Sequence, residues 1–366
     1  MSQLRVGIVG IGNISGIYLK NLSSYKSTTV VAVADIDKSR ADAAAAEHSV
    51  PHSQTPEELF ANPEVDLVLN LTIPAAHGPV AIDAVKAGKH VYNEKPLAIN
   101  LDQARELNRL ATEKGVRVGC APDTFLGSGI QTAREALDAG VIGEPVAAQA
   151  FMLSRGPEGW HPSPEFFFKP GGGPMLDMGP YYLTALVNLL GPVRRTTGVS
   201  RASFKTRTVG SGPLKGNLIE VETPTHIVGA IEFAGGALGQ ITTSFDVYFG
   251  HMQPITIFGS EGTMLVPDPN NFAGDVKVRR HDESDWQVIE PRKNFAQNSR
   301  GVGVLDIAVA LEENRTHRAN GELALHVLET MLSFSKASES GTHQLIETQL
   351  VRPAALGVDE LADQLP

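Results

Sequence analysis

The alternation of short apolar runs with amphipathic stretches in the first third of the chain constrains the fold most strongly. Five apolar runs predict strands, at Leu4–Val9, Val30–Ala34, Leu67–Leu71, His90–Tyr92 and Val116–Cys120. The stretches between them predict helices, at Ile14–Leu22, Lys38–Glu47, Pro79–Ala87 and Leu101–Lys114. Strands and helices that alternate in this way form βαβ units around a parallel sheet. The sequence therefore predicts an N-terminal α/β domain with a doubly wound parallel sheet.

The pattern changes after about residue 122, and a chain of 366 residues favours two domains. Helices are predicted at Gly129–Ala139, Asp177–Leu190, Val304–Glu313 and Glu322–Ser335, and strands at Thr225–Phe233, Ala237–Ser244 and Pro254–Phe258. Alternating strands separated by Gly- and Pro-rich turns are typical of an antiparallel sheet. We expect a first domain over residues 1–122, an α+β domain over 123–352, and a tail over 353–366 that is mobile or covers a partner.

Charge and composition argue against several classes of partner. Lys and Arg number 31 against 41 Asp and Glu, a net charge of −10, so neither nucleic acid nor an anionic membrane surface is expected to bind. No apolar run approaches the roughly 20 residues that span a bilayer, and no signal-like segment precedes Leu4. The single cysteine, Cys120, cannot form an intrachain disulfide. None of the 11 histidines has metal-ligand spacing. We expect a cytoplasmic protein without a metal.

A glycine pair follows the first predicted strand and begins the first predicted helix. Gly10 permits a tight turn, and Gly12 lets the backbone approach a pyrophosphate. The helix N-terminal amides at Asn13 and Ile14 would then face the negative charge. Ser15, a small residue, takes the third position of the motif. A purely structural turn is the alternative, but the strand–turn–helix context predicts dinucleotide binding.

Asp35 ends the second predicted strand, 23 residues after Gly12. A carboxylate there would accept the ribose 2′-hydroxyl and repel a 2′-phosphate, which favours NAD over NADP. Lys38 and Arg40 are close enough in sequence to weaken that preference, so NADP stays open.

A lysine, a carboxylate and a phenol make a candidate catalytic set. Lys95 follows a buried parallel strand, at the end where α/β sheets bind ligands. Asp177 and Tyr181 lie four residues apart and would share one helix face. An ammonium beside a phenol lowers the phenol's pKa, so Lys95 and Tyr181 could exchange a proton with substrate while Asp177 orients or relays. Pro180 favours a kink, which leaves the choice between Tyr181 and Tyr182 open, and a tyrosine packed in the core is the structural alternative.

These residues stand within longer motifs that run through the chain. The motifs are Gly10-Ile-Gly12-Asn13-Ile14, Asp35, Thr72-Ile73-Pro74-Ala-Ala-His77, Glu94-Lys95-Pro96, the triple glycine up to Asp177-x-Gly179, and Gly259-Ser-Glu-Gly-Thr263. Together they resemble the Gfo/Idh/MocA oxidoreductases, the group that contains glucose–fructose oxidoreductase and inositol dehydrogenase. The resemblance covers nearly the whole chain, and its most specific part is Glu94-Lys95-Pro96.

The resemblance implies an N-terminal Rossmann domain and a C-terminal domain whose large open antiparallel sheet is buried in a homodimer or homotetramer. It implies cofactor contacts at Thr72, Pro74, His77 and Glu94, in addition to those above. It also implies that Lys95 contacts both nicotinamide and substrate and that Asp177 belongs to the catalytic set. Many members carry histidine where this chain has Tyr181, whereas glucose–fructose oxidoreductase is similar to this chain in having tyrosine.

Two segments are expected to shape a substrate pocket. Asp123 and Thr124 lie where many relatives place a basic residue, so the substrate is expected to differ from familiar ones. Trp160 offers an apolar face to a sugar-like ring, and His161 offers a hydrogen bond. The alternative for this second segment is a loop whose aromatic side chains only pack over the sheet.

The sequence therefore predicts an NAD(P)-dependent oxidoreductase. Hydride would pass between nicotinamide and a secondary hydroxyl or ketone of a sugar, cyclitol or related polyol. One alternative is a catalytically silent sensor that binds a dinucleotide. Another is an enzyme whose tightly held cofactor cycles between two substrates.

Overall fold

The computed structural model describes residues 3–365, which divide into two compact units. The first unit contains the chain up to Leu126, then Gln297–Leu325 and the residues from Leu356 onward. The second contains Gly127–Ala296 and His326–Ala355. Each helix within residues 3–365 is too short or too polar to cross a bilayer.

Helices and strands alternate as far as the sixth strand, and strands dominate later. The strands are β1 (Leu4–Val9), β2 (Thr28–Ala34), β3 (His52–Gln54), β4 (Leu67–Asn70), β5 (His90–Asn93), β6 (Val118–Cys120), β7 (Pro145–Leu153), β8 (Val193–Arg201), β9 (Thr206–Thr208), β10 (Leu218–Glu220), β11 (His226–Phe233), β12 (Leu238–Ser244), β13 (Ile255–Gly259), β14 (Gly262–Val266), β15 (Lys277–Arg280), β16 (Gln287–Val288) and β17 (Gln344–Leu345). The helices are α1 (Ser15–Leu22), α2 (Lys38–His48), α3 (Pro56–Ala61), α4 (Pro74–Lys86), α5 (Leu101–Lys114), α6 (Ser128–Asp138), α7 (Gly173–Leu190), α8 (Val302–Glu312) and α9 (Gly321–Ser340).

The first unit is built on a six-stranded parallel sheet in the order β3-β2-β1-β4-β5-β6. The order reverses between β1 and β4, and in open α/β sheets ligands bind at such a switch point. All five predicted strands are present, and the doubly wound parallel sheet is confirmed. Their buried Val, Ile and Leu side chains fit a sheet covered on both faces.

Two short elements between β2 and β4 were not predicted. Strand β3 is polar and three residues long, so it carries no hydrophobic pattern. Helix α3 has a readable signal, because Thr55 and Glu58 form a capping box and Pro56 takes the first helical position. The predicted start of α4 at Pro79 is wrong. The helix begins at Pro74, and Pro79 lies inside it on the exposed side.

The second unit is organised around a nine-stranded sheet in the order β16-β15-β14-β13-β7-β12-β11-β8-β17. All its pairs are antiparallel except β7 with β12, which confirms the mainly antiparallel sheet. Helix α7 packs on β7, β11 and β12, and the side chains that alternate inward are apolar and buried, such as Ile227 and Ile231. The outward side chains of β8, β11 and β12 include Val199, Val228 and Leu238, which are exposed.

Residues 356–365, part of the segment for which a mobile or partner-covering tail is predicted, pack on the first unit. Leu356 and Leu361 are buried, and Glu360 forms an ion pair with Arg318 at 2.6 Å. The amide of Lys26 donates to the Gln364 carbonyl at 3.0 Å. Grouping by contacts therefore differs from the limits 1–122, 123–352 and 353–366, because the chain returns to the first unit twice.

Candidate active site

The residues predicted to bind the cofactor follow four neighbouring strands of the first unit at one edge of its sheet. They are Gly10, Gly12, Asn13 and Ile14 after β1, Asp35 after β2, Thr72 and Pro74 after β4, and Glu94 and Lys95 after β5. Hydrogen bonds continue the sheet past the strand ends, since Gly10 donates to the Ala34 carbonyl at 2.9 Å and Leu71 to the Val9 carbonyl at 2.8 Å. These segments therefore emerge side by side.

The glycine turn has the shape that a pyrophosphate requires. Gly10 has φ +93°, and a Cβ there would lie 2.8 Å from the backbone of Leu71 and Thr72, so only glycine fits. A Cβ at Gly12 would meet open space. The Ser15 hydroxyl donates to the Gly12 carbonyl at 2.8 Å and holds the turn closed.

The N-termini of two helices at this edge differ from those of α2, α3 and α5. Helices α2, α3 and α5 are capped by the side chains of Asp37, Thr55 and Asn100. Helices α1 and α4 have no side-chain cap at Ile14 and Ile73. The first amides of a helix lack partners within that helix, so these two N-termini can donate to phosphate oxygens.

Asp35 is buried and held by backbone amides. Its Oδ2 accepts from Ile11 at 2.7 Å, and its Oδ1 accepts from Asp37 at 2.9 Å. Carboxylate oxygens accept more than one hydrogen bond, so the oriented group can still accept a ribose hydroxyl. Ile36, directly after it, is 96% exposed. It gives an apolar surface to the cofactor edge, the edge of the sheet at which the cofactor is predicted to bind, and no sequence pattern marks it.

The two cations that could have weakened the preference for NAD are engaged elsewhere. Lys38 pairs with Asp42, and Arg40 lies 3.5 Å from Asp37. Both therefore already interact with carboxylates of their own helix region.

Glu94 holds the backbone at the candidate catalytic lysine. Its Oε1 accepts from the buried hydroxyl of Tyr18 at 2.8 Å, and its Oε2 accepts from the Lys95 amide at 2.9 Å. Both carboxylate oxygens thus contact protein groups. Tyr18 was not singled out in the sequence, because its partner is 76 residues away.

His77 lies beneath the same edge and is 1% exposed. Its Nδ1 lies 2.7 Å from the Pro96 carbonyl oxygen, and its Nε2 lies 2.9 Å from that of Thr72. Both ring nitrogens contact backbone, whereas the family resemblance implies a cofactor contact for this residue.

Asp123 and Thr124 are both buried in the first unit. Asp123 Oδ2 accepts from the amides of Gly301 and Gly303 at 2.8 and 3.0 Å, where α8 begins. Its carboxylate thus caps α8 from a distant part of the chain, which differs from the substrate contact that the sequence predicts. Burial raises the pKa of Asp123 to about 6, against the opposing effect of the two amides.

In the second unit, α7 carries the candidate carboxylate and phenol. The helix is continuous through Pro180, so Asp177 and Tyr181 occupy the i and i+4 positions of one face. Tyr182 donates to Asp268 Oδ1 at 3.4 Å. Burial, together with the Asp268 charge, raises the pKa of Tyr182 above its usual range. The hydroxyl of Tyr182 is therefore poorly suited to give up a proton.

An aromatic loop of the second unit presents Trp160 and His161. Trp160 is 69% exposed and meets the His161 ring edge-on at 5.5 Å, and His161 in turn packs against Phe166 and Phe167. The Ser163 amide donates to His161 Nδ1 at 3.1 Å, so a neutral ring carries its proton on Nε2. Burial lowers the pKa of His161, and the Ser163 backbone and the charge of Asp177 partly oppose this.

A buried ionic cluster anchors this loop, and no sequence signal marks it. Arg207 Nε donates to Glu158 Oε1 at 2.8 Å, and its Nη1 donates to Asp246 Oδ1 at 2.7 Å. Its Nη2 donates to the Phe245 carbonyl at 2.8 Å. The Arg207 side chain is almost fully buried, so its charge needs these partners.

Lys95 belongs to the first unit, whereas Asp177 and Tyr181 belong to the second. That their side chains converge on one reacting atom stays a prediction.

Comparison with protein families agrees with this architecture. The model of an oxidoreductase family with an NAD-binding Rossmann fold, GFO_IDH_MocA, matches residues 4–121. The GFO/IDH/MocA C-terminal domain matches residues 130–265. The chain belongs to the Gfo/Idh/MocA oxidoreductase family. It is an oxidoreductase with an NAD-binding Rossmann fold, as predicted.

Relatives with assigned activities are distant. The scyllo-inositol 2-dehydrogenase (NAD(+)) of Bacillus subtilis is 27% identical over 268 residues, which cover 72% of this chain and 74% of the relative. The 1,5-anhydro-D-fructose reductase of Ensifer adhaerens is 27% identical over 353 residues, covering 94% and 99%. A solved NAD-binding oxidoreductase of Klebsiella pneumoniae has a TM-score of 0.82 and 22% identity, covering 95% of this chain and 100% of its own, which shows the shared fold.

Replacing Asp123 by Asn should change how stability depends on pH. The folded carboxyl has a pKa of about 6, against 3.8 as the reference value, so between these values the folded state binds more protons than the unfolded state. Stability of the parent relative to Asp123→Asn should therefore fall as pH rises through this window, by up to about 3 kcal/mol. Urea unfolding from pH 3.5 to pH 7 measures it.

Asp66→Asn is the matched control of opposite sign. Hydrogen bonds from Arg5 outweigh the burial of Asp66 and lower its pKa. The parent's advantage over this variant should therefore disappear as pH falls. If the difference in unfolding free energy between the parent and Asp123→Asn did not change with pH over this range, the raised pKa of Asp123 would be contradicted.

Proposed function

We propose that this protein transfers hydride between NAD and a secondary hydroxyl or ketone of a sugar, cyclitol or related polyol. The observation that carries the proposal is the lysine held by Glu94 at the cofactor edge, in a chain whose second unit presents Asp177 and Tyr181 on one helix face. Relatives that act on inositols and on an anhydro sugar support this class of substrate.

The residues present fit the dinucleotide. The amides that begin α1 and α4 would bind the pyrophosphate, Asp35 would accept a ribose hydroxyl, and Ile36 would pack against the adenine. When bound, the nicotinamide supplies or accepts the hydride. Lys95 follows β5, and β5 lies next to β4, the strand that leads to α4.

Lys95 would bind the substrate oxygen. Its ammonium donates to the hydroxyl or ketone oxygen and stabilises the negative charge that develops there during hydride transfer. Tyr18 and Glu94 hold the backbone of Lys95 in place, so part of its orientation is set before substrate arrives.

Tyr181 is the better candidate for the proton carrier. The neighbouring hydroxyl of Tyr182 donates to Asp268, and its raised pKa disfavours proton release. A phenol at Tyr181 would lose its proton more readily beside the Lys95 ammonium. Asp177, one turn earlier, would orient the substrate or relay the proton.

Two side chains of the aromatic loop, the exposed Trp160 and the half-buried His161, suit a polyhydroxylated ring. Trp160 offers an apolar face, and the Nε2 proton of His161 would donate to a substrate hydroxyl. Flat apolar surface beside a few oriented polar groups is the usual composition of a small-molecule site.

Lys95→Met and Tyr181→Phe should each lower kcat by about 10²- to 10⁴-fold, the contribution of a positioned acid or base. NADH affinity, measured by fluorescence titration, should change little. Tyr182→Phe is the matched control and should retain turnover near the parent value. Steady-state assays with NAD⁺ over a panel of inositols and anhydro sugars provide the rates.

Two outcomes would contradict the proposal. Full activity in Lys95→Met would exclude the assigned role of that ammonium. A parent protein that binds NADH tightly but oxidises or reduces no member of a broad panel would instead favour a dinucleotide-binding sensor.

Asp35→Ser should weaken NAD⁺ binding by about 10- to 100-fold, the range of a charge-assisted hydrogen bond, and should improve binding of NADP⁺. Thr55→Ala is the matched control. It removes the α3 cap, which costs about 1 kcal/mol of stability, and should leave the ratio of the two affinities unchanged. An unaltered ratio in Asp35→Ser would show that this carboxylate does not select the cofactor.

We also propose that the open face of the nine-stranded sheet associates with a second copy of the chain, in a dimer or tetramer. Val199 and Val228 are register partners on β8 and β11, and Leu238 lies on the same face of β12. All three are exposed, and neighbouring branched side chains on a broad sheet face are typical of an interface.

Val228→Glu combined with Leu238→Glu should shift the assembly towards a smaller mass, because the changes place like charges across such an interface. Light scattering at matched concentration measures this. Leu218→Glu changes another exposed leucine, on the separate β9–β10 hairpin, and should leave the mass unchanged. A parent that is already monomeric would exclude the proposed interface.

A further inference from the structure

His77 connects two segments of the cofactor edge that come from different strands. It lies in the first turn of α4, and its ring is fully buried. Nδ1 faces the Pro96 carbonyl at 2.7 Å, and Nε2 faces the Thr72 carbonyl at 2.9 Å. Thr72 follows β4 in the segment that leads into α4, and Pro96 directly follows Lys95.

The backbone of His77 takes part in the same connection. Its carbonyl accepts from Asn70 Nδ2 at 3.1 Å and from Asn93 Nδ2 at 3.3 Å. The two asparagines end neighbouring strands and bind each other at 3.0 Å. Asn70 also accepts from the Thr72 hydroxyl at 2.7 Å, and Asn93 donates to the Leu97 carbonyl at 3.0 Å. A buried polar network therefore surrounds both segments.

We propose that His77 is a positioning residue whose ring holds the cofactor-binding segment with one nitrogen and the lysine-bearing segment with the other. The Nε2 contact would set the Thr72 segment and the start of α4 for the dinucleotide. The Nδ1 contact would set Pro96, and with it Lys95, for the substrate. This second half rests on the function proposed above for Lys95.

The chemistry of the ring makes the bridge specific to histidine. Backbone carbonyls only accept hydrogen bonds, and a neutral imidazole has a single N–H, so both contacts are hydrogen bonds only in the protonated ring. Burial lowers the pKa of His77 and outweighs the two carbonyls and the charge of Glu94, which favour the cation, while the charge of Lys95 opposes it. The neutral ring can carry its single proton on either nitrogen, so it donates to one of the two carbonyls at a time.

Two other roles are open to this residue. A direct ligand of the cofactor would need a ring N–H directed at the dinucleotide, and both nitrogens face backbone oxygens. A side chain that only fills the core would also be hydrogen-bonded, but replacing it by an amide would not affect the two segments separately.

Amide side chains separate the two halves of the bridge. The amide nitrogen of Asn reaches the place of Nδ1, and that of Gln reaches the place of Nε2. His77→Asn should keep the Pro96 contact and lose the Thr72 contact, which weakens NADH binding about 3- to 10-fold while kcat stays within about twofold. His77→Gln should do the opposite, lowering kcat about tenfold with NADH affinity unchanged.

Hydrogen exchange gives a readout that needs no substrate. Amides of residues 71–76 should exchange faster in His77→Asn, and amides of residues 94–98 should exchange faster in His77→Gln. His317→Asn and His317→Gln are the controls, because His317 is also buried in the first unit but contacts one carbonyl, that of Val118 at 3.0 Å. Neither control should alter either segment or the NADH affinity.

The inference is overturned if both variants change the same segment, if only one of them has an effect, or if neither does. A further outcome is that His77→Asn affects only residues 71–76 and His77→Gln only residues 94–98, as expected, without a fall in kcat in His77→Gln. That result would support the positioning role of His77 and contradict the role proposed for Lys95. If the parent turns over no polyol, exchange and NADH affinity still decide the inference.

Discussion

Hydrogen bonds that continue the parallel sheet beyond its strand ends determine where the chemistry of this protein can be assembled. Gly10 donates to Ala34, Leu71 to Val9, and Glu94 to Asn70, each across to the neighbouring strand. Each of these bonds joins the residue after one strand to the last residue of a neighbouring strand. The glycine turn, the Thr72 segment and the lysine segment therefore emerge side by side at one edge of the sheet. The reversal of strand order at β1 and β4 opens the space between them.

Buried polar side chains then hold these emerging segments by their backbone atoms. Asp35 accepts two amides, Glu94 accepts the amide of Lys95, and the ring of His77 meets two carbonyls. Asp123 likewise accepts the amides of Gly301 and Gly303 at the start of α8. Contacts of this kind restrict loops that would otherwise be mobile, and a buried polar group without a partner would be costly. The candidate site thus depends on residues that need not touch a substrate.

Much of the fold was predictable because its strands and helices have strong hydrophobic periods. The glycine turn and Asp35 were also predictable, since each stands at a known distance from a strand end. Residues whose role depends on a distant partner were not. Tyr18 contacts Glu94 across 76 residues, and Arg207 joins Glu158 across 49. For His77 and Asp123, the backbone contacts of the side chains depend on segments that fold back beside them, and the sequence does not mark these contacts.

The sequence by itself determined the class of the molecule: a parallel α/β unit for a dinucleotide, followed by a mainly antiparallel unit, in a recognisable oxidoreductase family. Local patterns suffice for this, because strand, turn and helix signals span a few residues each. Only the tertiary structure decided that residues 356–365 pack on the first unit and which tyrosine of α7 is held by Asp268. It also decided that a helix is capped from 178 residues away. Such contacts are set by how the chain returns on itself, and no local pattern of residues encodes that path.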